Sequence, residues 1–261
     1  MRWIDKPKHE PKELKEFKKK LAEETEKEGL IHENPFNLLK DDEVVNPAVQ
    51  IALAQEQGYI CCYCLGEIPL KEGEEERPVG RIEHFKPKSV YNGKEKEPDL
   101  RIEYSNLLLA CENENNHCDV KKGNEELCEV LILIGKKKEV TRNLAITYSP
   151  KGVIHSKKEA INQDIGGELK EDGTGDYQEG HLNLNCIRLI RSRVGAWKAV
   201  SRKITEDVGT PQWEKKRPKA LQVAKDLHKK YSNRKKDKKF HPFCDMILHQ
   251  LEKRFKELKS A

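Results

Sequence analysis

The chain has 261 residues, 36% of them hydrophobic and another 36% charged, with a net charge of +5. That length supports one large domain or two small ones, and the low apolar share implies a modest core divided among several helices. No run approaches the ~18 apolar residues of a membrane span, and Met1-Arg2-Trp3-Ile4-Asp5 lacks the apolar core of a signal peptide, so a soluble cytoplasmic protein is expected.

In chain order, residues 11–28 predict a helix. Pro11 suits a first helical position, Leu14, Phe17 and Leu21 repeat on one face, and Gly29 stops it. A second helix takes Asn46 as N-cap and Pro47 in its first turn, ends before Gly58, and delivers the chain into Cys61. Tyr59 to about Gly123 then reads as a metal-bearing core. Within it, Glu67–Gly80 is a hairpin-like turn followed by a short strand into Glu83-His84. Tyr91-Asn92-Gly93-Lys94 is a turn, and Lys94–Asp99 is a polar, proline-containing insertion.

Beyond Gly123 an apolar run, Glu129–Ile134, ends at Gly135. Leu144, Ile146 and Tyr148 alternate before Ser149-Pro150-Lys151-Gly152, with Val153 and Ile154 after it, which predicts a β-hairpin. Residues 186–204 are helical by period. Ile187, Ile190, Val194, Trp197, Val200 and Ile204 form the apolar face, and Arg188, Arg191, Lys198 and Arg202 a basic one. Between Glu214 and Lys239 stand 12 Lys/Arg against 3 Asp/Glu, so the positive charge belongs to one segment and the rest of the chain is net negative. Such a segment favours salt-sensitive nucleic-acid contact, or is a solvated helix face. A last helix carries Phe243, Ile247, Leu251, Phe255 and Leu258. The expected organisation is a helical arm over 1–45, a metal-bearing core over 46–128, and a hairpin with a basic helical region over 129–261.

Eight cysteines are few for this length, and without a signal peptide reduced thiols explain them better than a disulfide framework. Cys61-x2-Cys64, followed by Cys111 and Cys118, can put four sulfurs around one tetrahedral zinc. His117 is the alternative to Cys118 as fourth ligand. Cys62, Cys128, Cys186 and Cys244 have no partner at ligand spacing and read as small apolar side chains. Glu83 and Asp119 offer oxygen to a harder cation, magnesium or manganese, with positions left open for phosphate and water. His84 beside them can accept a proton, since imidazole titrates near working pH. Asn106 can fix the loop carrying His84 or orient its ring. Lys121 or Lys122 can bind a substrate backbone, and Lys121 is the expected catalytic one.

The joint order of these residues resembles the HNH (ββα-metal) endonuclease family, and within it the PtuB-like nucleases of Septu-type and retron-associated anti-phage systems. Ile82-Glu83-His84-Phe85-Lys86-Pro87-Lys88-Ser89, Tyr104-Ser105-Asn106-Leu107-Leu108 and His117-Cys118-Asp119-Val120-Lys121-Lys122-Gly123 carry the likeness, with Leu182-Asn183-Leu184-Asn185 downstream. It spans roughly residues 45–195. It implies an α+β fold, a zinc-stapled ββα-metal core flanked by N- and C-terminal helices. It also implies His84 as general base, Glu83 and Asp119 as cation ligands, Asn106 as the loop-orienting residue, and Cys61, Cys64, Cys111 and Cys118 as the zinc set. Glu83 stands for the commoner Asp, and Asp119 for the commoner His or Asn; both keep an oxygen ligand. The expected activity is metal-dependent cleavage of nucleic acid in anti-phage defence, with DNA the first substrate class. The implied partner is an ABC/SMC-like (PtuA-like) ATPase, or a retron RNA-DNA complex. The alternatives are an RNase, including one that cuts tRNA, and a zinc-bearing nucleic-acid-binding or adaptor module without catalysis.

Overall fold

A computed structural model describes residues 2, 4–7, 9–29, 32–71, 73, 77–90, 99–112, 117–128, 145–167, 177–208 and 217–260. The predicted turn at Tyr91–Lys94, the apolar run Glu129–Ile134 with Gly135, and Leu144 lie outside these residues.

Helix α1 runs Lys12–Glu28, with Pro11 at its N-cap and Gly29 closing it in the left-handed conformation. Leu14 is fully buried, and Phe17 and Leu21 pack against the same apolar cluster. Helix α2, Pro35–Asp41, was not anticipated; the Asn34 side chain accepts the Asn37 N–H, and proline opens its first turn. Helix α3 is Val45–Gln57, and its start corrects the expected cap. Asp42 Oδ1 accepts the N–H groups of Val44 at 2.9 Å and Val45 at 2.8 Å, so the helix begins before Asn46-Pro47. Gly58 ends it at φ 65°, where a Cβ would come within 2.4 Å of the Phe240 ring.

Strand β1, Gly80–His84, pairs antiparallel with β2, Leu107–Cys111, setting Glu83 opposite Leu108 and His84 opposite Leu107. A strand with both faces covered must be apolar throughout, and Leu107-Leu108-Leu109-Ala110 is. Leu107 and Leu109 join α1, α2 and α3 in one apolar cluster, while Leu108 and Ala110 face the cysteines in another. A single turn of helix, α4 over Asp119–Lys122, follows directly after Cys118.

The predicted hairpin is β3, Ile146–Tyr148, against β4, Ile154–Ser156. Helix α5 is Glu159–Ile165, and three longer helices follow: α6 Ile187–Val208, α7 Arg217–Ser232 and α8 Cys244–Ser260. Ile187, expected on the buried face of α6, is 50% exposed. Arg193 takes the interior instead, almost fully buried, its guanidinium donating to the Leu184 carbonyl. Helices α6, α7 and α8 enclose a small core of their own. The cluster around the cysteines also takes in Tyr148, Ile154, Ile161, Leu182, Leu189 and Met246, so the region after residue 128 shares a core with the region before it. The N-terminal segment straps both together: Arg2 bonds Asp245 at 3.0 Å, Ile4 is buried among the cysteines, and Lys6 bonds Glu56 at 3.0 Å. No helix among the described residues is long and apolar enough to cross a membrane.

Candidate metal and catalytic centre

Cys61 and Cys64 sit on the tight turn after α3, Cys111 ends β2, and Cys118 precedes α4. The Cys62 N–H donates to the Leu109 carbonyl of β2 at 3.1 Å, which holds the turn against that strand, and all four sulfurs lie within 4.8 Å of one another. Cys61 and Cys118 are 3.8 Å apart, as are Cys64 and Cys111. Four sulfurs at the ~2.3 Å zinc–sulfur distance, tetrahedrally placed, are separated by about 3.8 Å. The donor set therefore fits zinc. Burial raises the Cys61 thiol, yet hydrogen bonds from Cys111, Cys118, Cys62 and Cys64 outweigh it and bring it well below the ordinary value. Cys118, buried and facing the same sulfurs, goes well above. Four sulfurs this close would all ionise only with a cation among them. His117, the alternative fourth ligand, is not among these four; its Nδ1 lies 3.2 Å from the Cys118 sulfur. Cys62, although adjacent in sequence, is outside the tetrad.

On β1, Arg81 and Glu83 are two apart and share a face, and that face meets α4. Arg81 Nε is 2.9 Å from Asp119 Oδ2. Glu83 Oε1 accepts from the Tyr63 hydroxyl at 2.7 Å and lies 2.9 Å from Lys122 Nζ. Burial, then the neighbouring Asp119 carboxyl, push the Glu83 carboxyl up to about 8 against the pull of Lys122. Two neighbouring carboxyls in a largely buried place oppose each other's ionisation, and here each also faces a basic side chain, Lys122 for Glu83 and Arg81 for Asp119.

His84, the last residue of β1, packs its ring edge-on to Phe36 of α2, centroids 4.4 Å apart. Its Nε2 lies 2.8 Å from the Arg101 carbonyl oxygen. A carbonyl only accepts, so Nε2 carries the proton and Nδ1 is left as the acceptor. Burial lowers the ring's pKa to about 4, the Arg101 carbonyl working against it, and the imidazole is neutral at neutral pH. Asn106 is not hydrogen-bonded to this ring. Its Oδ1 accepts Lys86 N–H at 2.8 Å, and its Nδ2 donates to Lys86 O at 3.0 Å and Leu100 O at 2.9 Å, pinning the chain that leaves His84.

Glu83, His84, Asp119 and Lys122 line one cleft of about 730 Å³. Its walls include Lys40 of α2, Gln50 of α3, and Lys71 and Arg77 of the turn before β1. Arg77 Nε donates to Gln50 Oε1 at 2.9 Å, and Gln50 Nε2 to the Gly80 carbonyl at 2.9 Å, so this wall is tied to the strand bearing Glu83. Lys121, the expected catalytic lysine, is not part of the lining; it bonds Glu179 at 2.7 Å. The lysine that reaches the centre is Lys122, 1% exposed, whose Nζ also donates to the His84 carbonyl at 3.0 Å. Sequence reasoning missed Tyr63, Phe36, Gln50 and Arg77; only Tyr63, lying inside Cys61-x2-Cys64, had a local signal.

The basic segment occupies another surface. Lys219, Lys225, Lys229 and Lys230 are exposed on α7, and Lys235, Lys236 and Lys238 on the loop after it. Arg234 in that loop donates to the Gln55 and Glu56 carbonyls at the C-terminal end of α3, 2.6 Å each. Asn46 and Gln50, which line the cleft, lie toward the other end of that helix, up to roughly 14 Å away at 1.5 Å per residue. No family model matches this chain, and no curated protein matches it.

Proposed function

We propose that this protein is a metal-dependent nuclease of the HNH (ββα-metal) kind, hydrolysing phosphodiester bonds of nucleic acid in the cleft above β1 and α4. The carrying observation is the meeting of Glu83 and Asp119 beside a neutral His84 whose Nδ1 is unprotonated. Two antiparallel strands followed by one helical turn hold these groups, and the cysteine tetrad closes the unit. Glu83 and Asp119 would hold magnesium or manganese, which offsets phosphate charge and stabilises the leaving oxygen. His84 Nδ1 takes the proton of the attacking water, while Nε2–H stays on the Arg101 carbonyl and fixes the ring. Lys40, Lys71 and Arg77 attract the substrate backbone to the cleft. Zinc on Cys61, Cys64, Cys111 and Cys118 is structural, a closed four-sulfur site with no open position.

The resemblance of the motifs extends the proposal to cytoplasmic anti-phage defence, with an ABC/SMC-like ATPase or a retron RNA-DNA complex as partner and DNA as first substrate. The test is incubation of purified protein and H84A with Mg2+ or Mn2+ against plasmid, single-stranded DNA and total tRNA, alone and with the ATPase. Cleavage of one substrate, lost in H84A with zinc retained, is the expected result. Equal cleavage by H84A removes His84 from the mechanism. No cleavage under any condition returns the chain to the binding-module alternative.

A further inference from the structure

We propose that Tyr63 and Lys122 are positioning residues that tie the cysteine tetrad to the candidate cation site by fixing the Glu83 carboxylate. This rests on the reading of Glu83 and Asp119 as cation ligands. Both donors converge on one oxygen: Glu83 Oε1 receives the Tyr63 hydroxyl at 2.7 Å and Lys122 Nζ at 2.9 Å. Tyr63, Lys122 and Glu83 are 0%, 1% and 3% exposed, so water supplies no substitute for either donor. With Oε1 held from two directions, the carboxyl is fixed in its place against the Asp119 carboxyl, the other proposed ligand.

Each donor is in turn fixed by the tetrad. Tyr63 stands between Cys61 and Cys64, on a turn closed by Leu65 N–H to Cys61 O at 3.2 Å and Cys61 N–H to Gly66 O at 2.9 Å. Lys122 is one helical turn past Cys118, its N–H donating to the Cys118 carbonyl at 2.9 Å. The same Lys122 Nζ holds the His84 carbonyl at 3.0 Å, so it also sets the residue that carries the base. A buried ammonium beside a cation ligand is electrostatically adverse to cation binding. Its place there is explained by the orientation it imposes, as outer donors do for metal-ligating carboxylates.

That conflict gives the test a sign. Full-length zinc-loaded wild type, Y63F, K122M and E83Q would be titrated with Mn2+ by calorimetry and by electron paramagnetic resonance of free Mn2+. Zinc content and circular dichroism are measured on the same samples. Y63F and K122M are expected to keep zinc and bind Mn2+ about 10–100-fold more weakly, the usual cost of losing an outer-shell partner. Charge alone predicts the opposite for K122M, tighter binding after a positive charge is removed. Unchanged or tighter Mn2+ binding in both variants, with zinc intact, overturns the inference. If K122M loses zinc, Y63F, which removes a single hydroxyl, decides it. Wild type that binds Mn2+ and E83Q that does not would establish the cation site independently; wild type that binds none overturns both readings.

Discussion

Asn106 shows how one amide can hold a site without touching its chemistry. Both of its ends are committed to backbone, three hydrogen bonds to Lys86 and Leu100, in a place where the side chain is 5% exposed. Truncation leaves a part-buried N–H and two part-buried carbonyls without this partner, which costs on the order of 3 kcal/mol. N106A should therefore melt roughly 6–12 °C below wild type. N106D, which replaces the two amide donors with acceptors facing two carbonyls, should do no better. Thermal unfolding followed by circular dichroism measures both. An N106A midpoint within about 2 °C of wild type would show that the loop leaving His84 is held by something else. The residue scale also explains why Lys122 could not be told from Lys121 in the sequence. Neighbours on a helix point about 100° apart, and only the phase set by Cys118 turns the second lysine inward.

Between α2 and α3 a single residue serves two elements. The Asp42 N–H closes α2 on the Leu38 and Leu39 carbonyls, and its side chain opens α3. Bonding from the Val45 and then the Val44 N–H holds its carboxyl below the ordinary value. A carboxyl lowered in the folded state contributes stability that is complete above the unfolded value of ~3.9 and disappears as pH falls through the folded one. D42A should thus cost about 1 kcal/mol at neutral pH, and denaturant curves of the two proteins should converge in acid below that lowered value. A gap that persists there would mean the charge plays no part in the cap. Sequence pattern favoured Asn46-Pro47 for this start because both are strong local signals; the competing Asp42 becomes visible only once α2 brings the chain around. The contrast runs through the molecule. The cysteine tetrad was legible because metal ligation restricts residue type and spacing. The cleft walls were not, since Phe36, Gln50 and Arg77 arrive from three separate elements that meet only in the fold.

Across the whole molecule the cysteine tetrad lies inside the apolar cluster that joins the strand pair to β3, β4, α5 and the start of α6, with the N-terminal strap crossing it. The division expected at residue 128 is therefore not a division of the core. Three of the four sulfurs are buried, and Cys111 at the end of β2 is only partly so. Oxidation of thiolates follows access to solvent. Graded peroxide applied to the zinc-bound protein should modify Cys111 before Cys61, Cys64 or Cys118, with zinc release tracking that first event; peptide mass spectrometry reads the order, and a buried sulfur reacting first would refute it. Within the tetrad, oxidants meet Cys111 first, while Cys128 and Cys186 are partly exposed elsewhere. Damage to the Cys111 sulfur would release a zinc held there, so the redox state of the surroundings would set how long the shared core keeps its staple.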